Sequence, residues 1–377
     1  MRYRLAERAA ALTNVFEPVE ALMSISGATE PNGLRFDEEA RSYDALLVLS
    51  FGGPEGLDDV MPFLENVTRG RNVPPARLDE VAEHYRHFGG VSPINAQNRA
   101  LIAALQREFE DHEISLPIYF GNRNWAPFVA DTIGEMRDGG VQRALVFATS
   151  ALSSYSGCRQ YREDIIRACD SVGEGVPQFD KIRVFYNHPG YIETMIERKN
   201  AALREIPDER RAEARLIFTA HSIPESMARQ CAYELQLREA SRLVAGENVA
   251  VQIAYQSRSG PPHVAWLEPD ILDALDDLAR EGVRDVVLVP IGFISDHMEV
   301  LFDLDLEASE RAEGLGLNLV RAGTAGVHPA FVRMIRELVV ERMTENPERP
   351  SLGGRGSSHD ICPLNCCLIG AGRPAHS

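Results

Sequence analysis

The 377-residue chain carries a formal charge of −17 at pH 7, with apolar residues at 44% and charged residues at 25%. Such a composition excludes wholesale disorder and is long enough for two domains, while the acidic balance excludes nucleic acid as a partner. No apolar run approaches the roughly 20 residues of a membrane span, and the N-terminal MRYRLAERAAALTNVFEPVEALM lacks the continuous apolar stretch of a signal peptide, so the expected location is the cytoplasm.

Residues 1–42 read as an extension, a short amphipathic helix followed by the polar, turn-rich SGATEPNGLRFDEEARSY, with no catalytic role expected. From Asp44 onward, short aliphatic runs alternate with longer helical segments, the pattern of a parallel α/β architecture. The predicted strands are ALLVLSF, PIYFGN, ALVFAT, RVFYN, RLIFTA, VAVQIAY, DVVLVPI and LNLVRAG, and segments such as NAQNRALIAALQREFE and PDILDALDDLAREG carry the helical period between them. GVQRALVFATSALSS (140–154) matches GVRDVVLVPIGFISD (282–296) at a constant offset, and LVLSFGGPE matches LIFTAHSIPE with one gap. This internal repeat predicts an α/β fold of two Rossmann-like domains with parallel sheets, ligands binding at the carboxyl ends of the strands in the cleft between them. The expected boundaries are an N-terminal extension at 1–42, a first domain at 43–190, a second at 191–345, and a linker with a cysteine-containing tail at 346–377.

Three constellations carry candidate chemistry. RLIFTAHSIPE sets His221 at the end of a strand, where a neutral imidazole serves as a ligand for borderline metals or as a base. VPIGFISDHMEVLFDLDLEASERAEG puts Glu299, Asp303 and Glu307 at i, i+4 and i+8, a stripe roughly 12 Å long on an α-helix. With no Lys or Arg interleaved until Arg311, these carboxylates are either a solvated acidic face or a path of hard oxygen ligands for a divalent cation. The loops LSFGGPEG, VTRGRNVPP, HFGGVSPINAQ and GNRNWAP pair glycines for close backbone approach with Arg69 and Arg71, the basic counterweight an anionic substrate requires.

Taken together, SFGGPE, TRGR, FGGVSPI, TAHSIPE, YQSRSGPPHVAWLEPD and VPIGFISDHMEVLFDLD resemble, in order and spacing, the ferrochelatases, which insert ferrous iron into a porphyrin. The resemblance runs from about Asp44 to about residue 345. It implies the chelatase fold, with a porphyrin in the cleft, His221 and Glu299 as the catalytic pair facing each other over the macrocycle and meeting the substrate iron, and Asp303 and Glu307 continuing an acidic path. Phe51, Arg69, Ser92 and Tyr161 fall where the family contacts the porphyrin. Phe51 stands where many coproporphyrin-metallating relatives carry an iron-ligating tyrosine, and Thr68 beside Arg69 where that branch has an arginine. The Phe51 form with a cysteine tail looks most like the actinobacterial branch, which implies coproporphyrin III as substrate, with protoporphyrin IX as the alternative. The implied partners are the porphyrin and ferrous iron, with transient contact to neighbouring haem-pathway enzymes. A non-catalytic tetrapyrrole or haem carrier would need the cleft but not the carboxylate stripe.

Six cysteines in a cytosolic chain are poor disulfide candidates. Cys169 and Cys231 read as core thiols, which leaves Cys158, in SSYSGCRQYRED, beside Cys362, Cys366 and Cys367 of the tail. By the same resemblance these four would hold a [2Fe-2S] cluster, a cofactor that several ferrochelatases carry on three C-terminal ligands and one internal one. Cys169 replacing one of the vicinal pair, and a tetrahedral zinc site, are the alternatives at the level of the ligands and the metal.

Overall fold

The central strands, ALLVLS, RALVFA, RLIFTAH and DVVLV, are short and mostly apolar on both faces, as strands become when helices cover a parallel sheet from both sides. In β1 (Ala45–Ser50) all six residues are buried. A computed structural model of the chain describes residues 37–70, 73–363 and 365–370. The extension at 1–36, Arg71 and the last seven residues lie outside the described residues.

Two four-stranded, all-parallel sheets result. β1, β2 (Ile118–Asn122), β3 (Arg143–Ala148) and β4 (Gln178–Lys181) are ordered β2-β1-β3-β4. β5 (Arg215–His221), β6 (Gln252–Gln256), β7 (Asp285–Val289) and β8 (Asn318–Arg321) are ordered β6-β5-β7-β8. The internal repeat therefore maps β1 onto β5 and β3 onto β7 at the same positions in their sheets. Its shared Gly-Val has a local cause. Gly140 and Gly282 both sit at φ +79, each just after a helix, and the amides of Val141 and Val283 reach back to the carbonyls of Met136 and Leu278 at 3.0 Å. This is a Schellman cap that ends the helix and turns the chain into the next strand.

One predicted strand is corrected. RVFYN is not paired; β4 lies earlier, at Gln178–Lys181. The apolar character of 182–187 comes from packing in the core that joins the two halves. Phe185 stacks on Phe147 of β3 at 5.4 Å, and Tyr191 and Phe331 meet Phe185 at 5.7 and 5.9 Å. Phe331 belongs to the last helix (Pro329–Met343) and Tyr191 to the helix Pro189–Arg204, so one aromatic cluster is shared by both sheets' surroundings.

Candidate functional site

His221 is the last residue of β5, in register with Gln256 at the end of β6. Its Nδ1 lies 2.5 Å from the Ser222 carbonyl oxygen. A carbonyl only accepts, so Nδ1 donates to it and Nε2 is the ring nitrogen turned toward Glu299. Nε2 stands 3.6 Å from Glu299 Oε2, and the two side chains are 33% and 49% exposed, open to an incoming solute. The Tyr233 hydroxyl donates to the His221 carbonyl at 2.9 Å and fixes the strand end. His297, 3.9 Å from the same Glu299 oxygen, has its imidazole pushed below the usual range by burial, an effect that the Glu299 charge opposes.

The helix that carries the carboxylates departs from the expected α geometry. It begins as α over Met298–Val300, widens to π over Leu301–Glu307 and returns to α over Ala308–Leu315. In an α-helix each four-residue step overshoots a full turn by about 40°, so residues i and i+8 drift by about 80°; the wider i→i+5 turn of a π-helix takes up that overshoot. Val300, Leu304 and Ala308 accordingly stay on one fully buried row, and Glu299, Asp303 and Glu307 run beside them at the same spacing.

Gln256 and Ser257 hold the middle carboxylate, a role that sequence reasoning missed. Ser257 Oγ donates to Asp303 Oδ2, and Gln256 Nε2 lies 3.5 Å from that oxygen and 3.4 Å from the Glu299 carbonyl. Ser257 does so from the left-handed region, at φ +62, directly after β6. Burial, with the charges of Glu299 and Glu307, pushes the Asp303 carboxyl up to about 7, against the pull of the Ser257 and Gln256 hydrogen bonds. Burial also raises Glu307, helped by Asp270 and Glu310.

On the first half, Phe51 follows β1 and is 37% exposed, edge-on to Phe63 at 6.3 Å. The Arg123 guanidinium lies over both Phe51 (5.7 Å) and the buried ring of Tyr161 (4.7 Å), and is ion-paired with Asp164. Arg123, from the loop GNRNWAP, was not among the expected contacts; its position directly after β2 was the available signal. Ser92 is buried against Gly53, where a Cβ would come within 2.8 Å of the Ser92 hydroxyl. Arg69 sits exposed in the turn after the helix Val60–Val67. The structure thus gathers His221, Glu299, Asp303 and Glu307 into one site and Phe51 with Tyr161 around Arg123, while Ser92 and Arg69 join neither group. Two contacts tie the halves across the site. Gln97 and Asp296 exchange hydrogen bonds at 3.2 and 2.8 Å, and the rings of His84 and Phe302 stack face to face at 3.6 Å.

The second gathering is of sulfur. Cys158, in the π turn Tyr155–Arg159, lines a partly open hollow with Cys362, Cys366 and Cys367. Cys366 Sγ lies 3.5 Å from Cys367 Sγ and 3.8 Å from His359 Nε2. Cys367 adopts φ +53, which turns two adjacent thiols toward one another. Hydrogen bonds from Cys362 and Cys367 hold the Cys366 thiol well below its ordinary range. His359, Cys362 and Cys366 offer three donor atoms within 4.8 Å of one another, a set able to hold a metal ion. Cys169 lies elsewhere, packed in the core against the first sheet and not among the residues lining this hollow, its thiol pushed up to about 12 chiefly by burial. Cys231 is half-buried, with its thiol raised to about 11, again chiefly by burial.

A family model described as Ferrochelatase matches residues 43–343. A protein named ferrochelatase from Rhodopirellula baltica is 55% identical over 339 residues, covering 89% of this chain and 96% of its own. One from Streptomyces coelicolor, named coproporphyrin III ferrochelatase, is 50% identical over 361 residues, covering 89% of this chain and 96% of its own. Among solved structures, the sirohydrochlorin chelatase of Bacillus subtilis subspecies spizizenii, in complex with cobalt, aligns with a TM-score of 0.44 at 14% identity, over 84% of this chain and all of its own. The family model and both sequence relatives agree, and the chain belongs to the ferrochelatase family, enzymes that insert iron into a porphyrin.

Proposed function

We propose that the chain inserts ferrous iron into coproporphyrin III, with His221 and Glu299 as the reacting pair. The observation that carries this reading is the 3.6 Å approach of His221 Nε2 to Glu299 Oε2 at the open ends of β5 and the carboxylate helix. Metallation replaces two pyrrole N–H protons with one Fe²⁺, so two protons must leave for every iron that enters. The free lone pair on Nε2 takes one proton or meets the iron; the Glu299 carboxylate takes the other. Asp303, poised near 7, can both accept and release a proton at neutral pH, and Glu307 continues the row toward the surface. Phe51 and Tyr161, with Arg123 between them, would flank the ring; Arg69 and Ser92 are proposed as more distant contacts. Coproporphyrin as the substrate rests on the relatives named for it, among them those from Streptomyces coelicolor and Nocardia farcinica.

The chain's own thiols suit a [2Fe-2S] cluster on Cys158, Cys362, Cys366 and Cys367. Four sulfurs face one hollow, and the buried Lys181 ammonium beside them offsets their negative charge. A bound cluster would supply a reversible one-electron site. Its four ligands would clamp the tail to the first half, while Gly370 runs so close to the second that an added Cβ would come within 2.7 Å of the Ser226 carbonyl oxygen. Domain boundaries at 43–190 and 191–345 and a cytoplasmic location complete the reading. Among the described residues no helix is long and apolar enough to cross a membrane.

The test is an anaerobic metallation assay with ferrous iron, offering coproporphyrin III and protoporphyrin IX side by side. Faster turnover of coproporphyrin supports the proposal; a preference for protoporphyrin corrects the substrate, and metallation of neither rejects the reaction. The visible spectrum of freshly purified protein tests the cluster, since a zinc-filled site is colourless.

A further inference from the structure

We propose that His359 converts the cysteine pocket into a second kind of metal site, one that holds a single divalent transition-metal ion when no iron-sulfur cluster is present. His359, Cys362 and Cys366 would supply three of its ligands and Cys158 the fourth. At tetrahedral angles, metal–sulfur and metal–nitrogen bonds of about 2.3 and 2.0 Å place neighbouring donor atoms roughly 3.5–3.8 Å apart. The separation of His359 Nε2 from Cys366 Sγ is 3.8 Å, and the Cys362 sulfur lies within 4.8 Å of both. Cys158 lines the same hollow as Cys362 and Cys366, which makes it the candidate for the fourth ligand.

The His-x2-Cys-x3-Cys segment is anchored before any metal arrives. Asp360, adjacent to His359, is buried and accepts hydrogen bonds from the Arg349 side chain at 3.1 Å and the Asp37 amide at 3.2 Å. From the other end, Arg159 Nη1 donates to the Cys366 carbonyl at 3.2 Å. Four cysteines line the hollow and His359 stands 3.8 Å from one of them, Cys366, so five donors are at hand where either site needs four. A cluster takes the four thiolates; a lone borderline cation takes an imidazole and three thiolates, exchanging Cys367 for His359.

The two modes separate by mutation. Full-length protein is stripped with chelator under reducing conditions and titrated with Co²⁺, whose visible bands report tetrahedral sulfur and nitrogen ligation. Parallel samples are reconstituted with iron and sulfide and read by visible absorption. The unmutated chain should bind one Co²⁺ in tetrahedral geometry. His359→Ala should weaken cobalt binding at least about tenfold and alter its bands, yet still take up a cluster, because losing even a supporting partner of a ligand costs that much affinity. Cys367→Ser should do the reverse, keeping cobalt and losing the cluster. His359→Cys guards against misfolding of the alanine variant: it should keep tetrahedral cobalt but with stronger thiolate charge-transfer bands. Unchanged cobalt affinity and spectrum in His359→Ala, or an unchanged spectrum in His359→Cys, overturns the proposal. If the unmutated chain itself takes up no cluster, the iron-sulfur reading fails and the cobalt result stands alone.

Discussion

Asp303 is half-buried beside two other carboxylates, and its ordinary value of 3.8 is displaced to about 7. Between those pH values the folded chain holds a proton that the unfolded chain has released, so this group's contribution to stability falls as pH rises from about 4 to about 7, by at most about 1.4 kcal/mol per unit. Asp303→Asn should flatten that part of the stability profile, measured by urea unfolding at pH 5 and pH 7.5; an unchanged slope would remove Asp303 from the account. Ser257→Ala takes away a hydrogen bond that favours the carboxylate, so any limb of the pH-rate profile due to Asp303 should move to higher pH. At the reacting pair, His221→Ala should lower the metallation rate by at least about 100-fold, the range of a lost general base, while porphyrin binding, followed by fluorescence quenching, persists. His221 and Glu299 were legible because a histidine ending an apolar strand and an acid beginning a helix already fix their place on the sheet edge. Gln256 and Ser257 were not, because nothing local marks them as partners of a side chain on another element.

The elements sort in the same way. Gly-Val recurs before β3 and β7 because each pair ends a helix with the same left-handed glycine, and this geometry is written in two adjacent letters. At neither Gly140 nor Gly282 would a Cβ touch anything within 4 Å, so alanine there meets only backbone strain. Gly140→Ala and Gly282→Ala should each destabilise the fold by about 1–2 kcal/mol in chemical denaturation, and the double variant should show the sum, since the two caps lie in different halves and share no partners. A cost near zero at either site would mean that its helix end relaxes. The π turn, by contrast, was invisible: apolar residues at 300, 304 and 308 and acids at 299, 303 and 307 fit a slowly drifting α stripe as well as a straight π one. RVFYN misled for a related reason. Burial makes a segment apolar whether it pairs in a sheet or fills a junction, and composition does not separate the two.

At the scale of the whole molecule, buried charge joins parts that the sequence read as separate. The Arg183 side chain has no exposed surface and meets Glu341 of the last helix through two hydrogen bonds, Nε to Oε1 at 2.8 Å and Nη2 to Oε2 at 3.0 Å. The same Nη2 donates to the Pro350 carbonyl at 3.0 Å, and Asn187, close by in sequence, binds the carbonyls of Leu352 and Gly356. The segment expected as a plain tether is thus laid along the end of the first sheet and delivers the cysteines to Cys158. Removing one partner of such a pair leaves the other charge buried without compensation. Glu341→Ala should therefore cost about 3–5 kcal/mol, whereas replacing both partners with methionine should cost far less, because a fully apolar pair has no charge to desolvate. Urea unfolding of the single and double variants tests this, with limited proteolysis of the 346–360 segment as a second readout. Faster cleavage there in Glu341→Ala would show that the pair holds the tail's approach as well as the last helix. Equal destabilisation in the single and double variants would assign the cost to lost packing and leave the ion pair without a role.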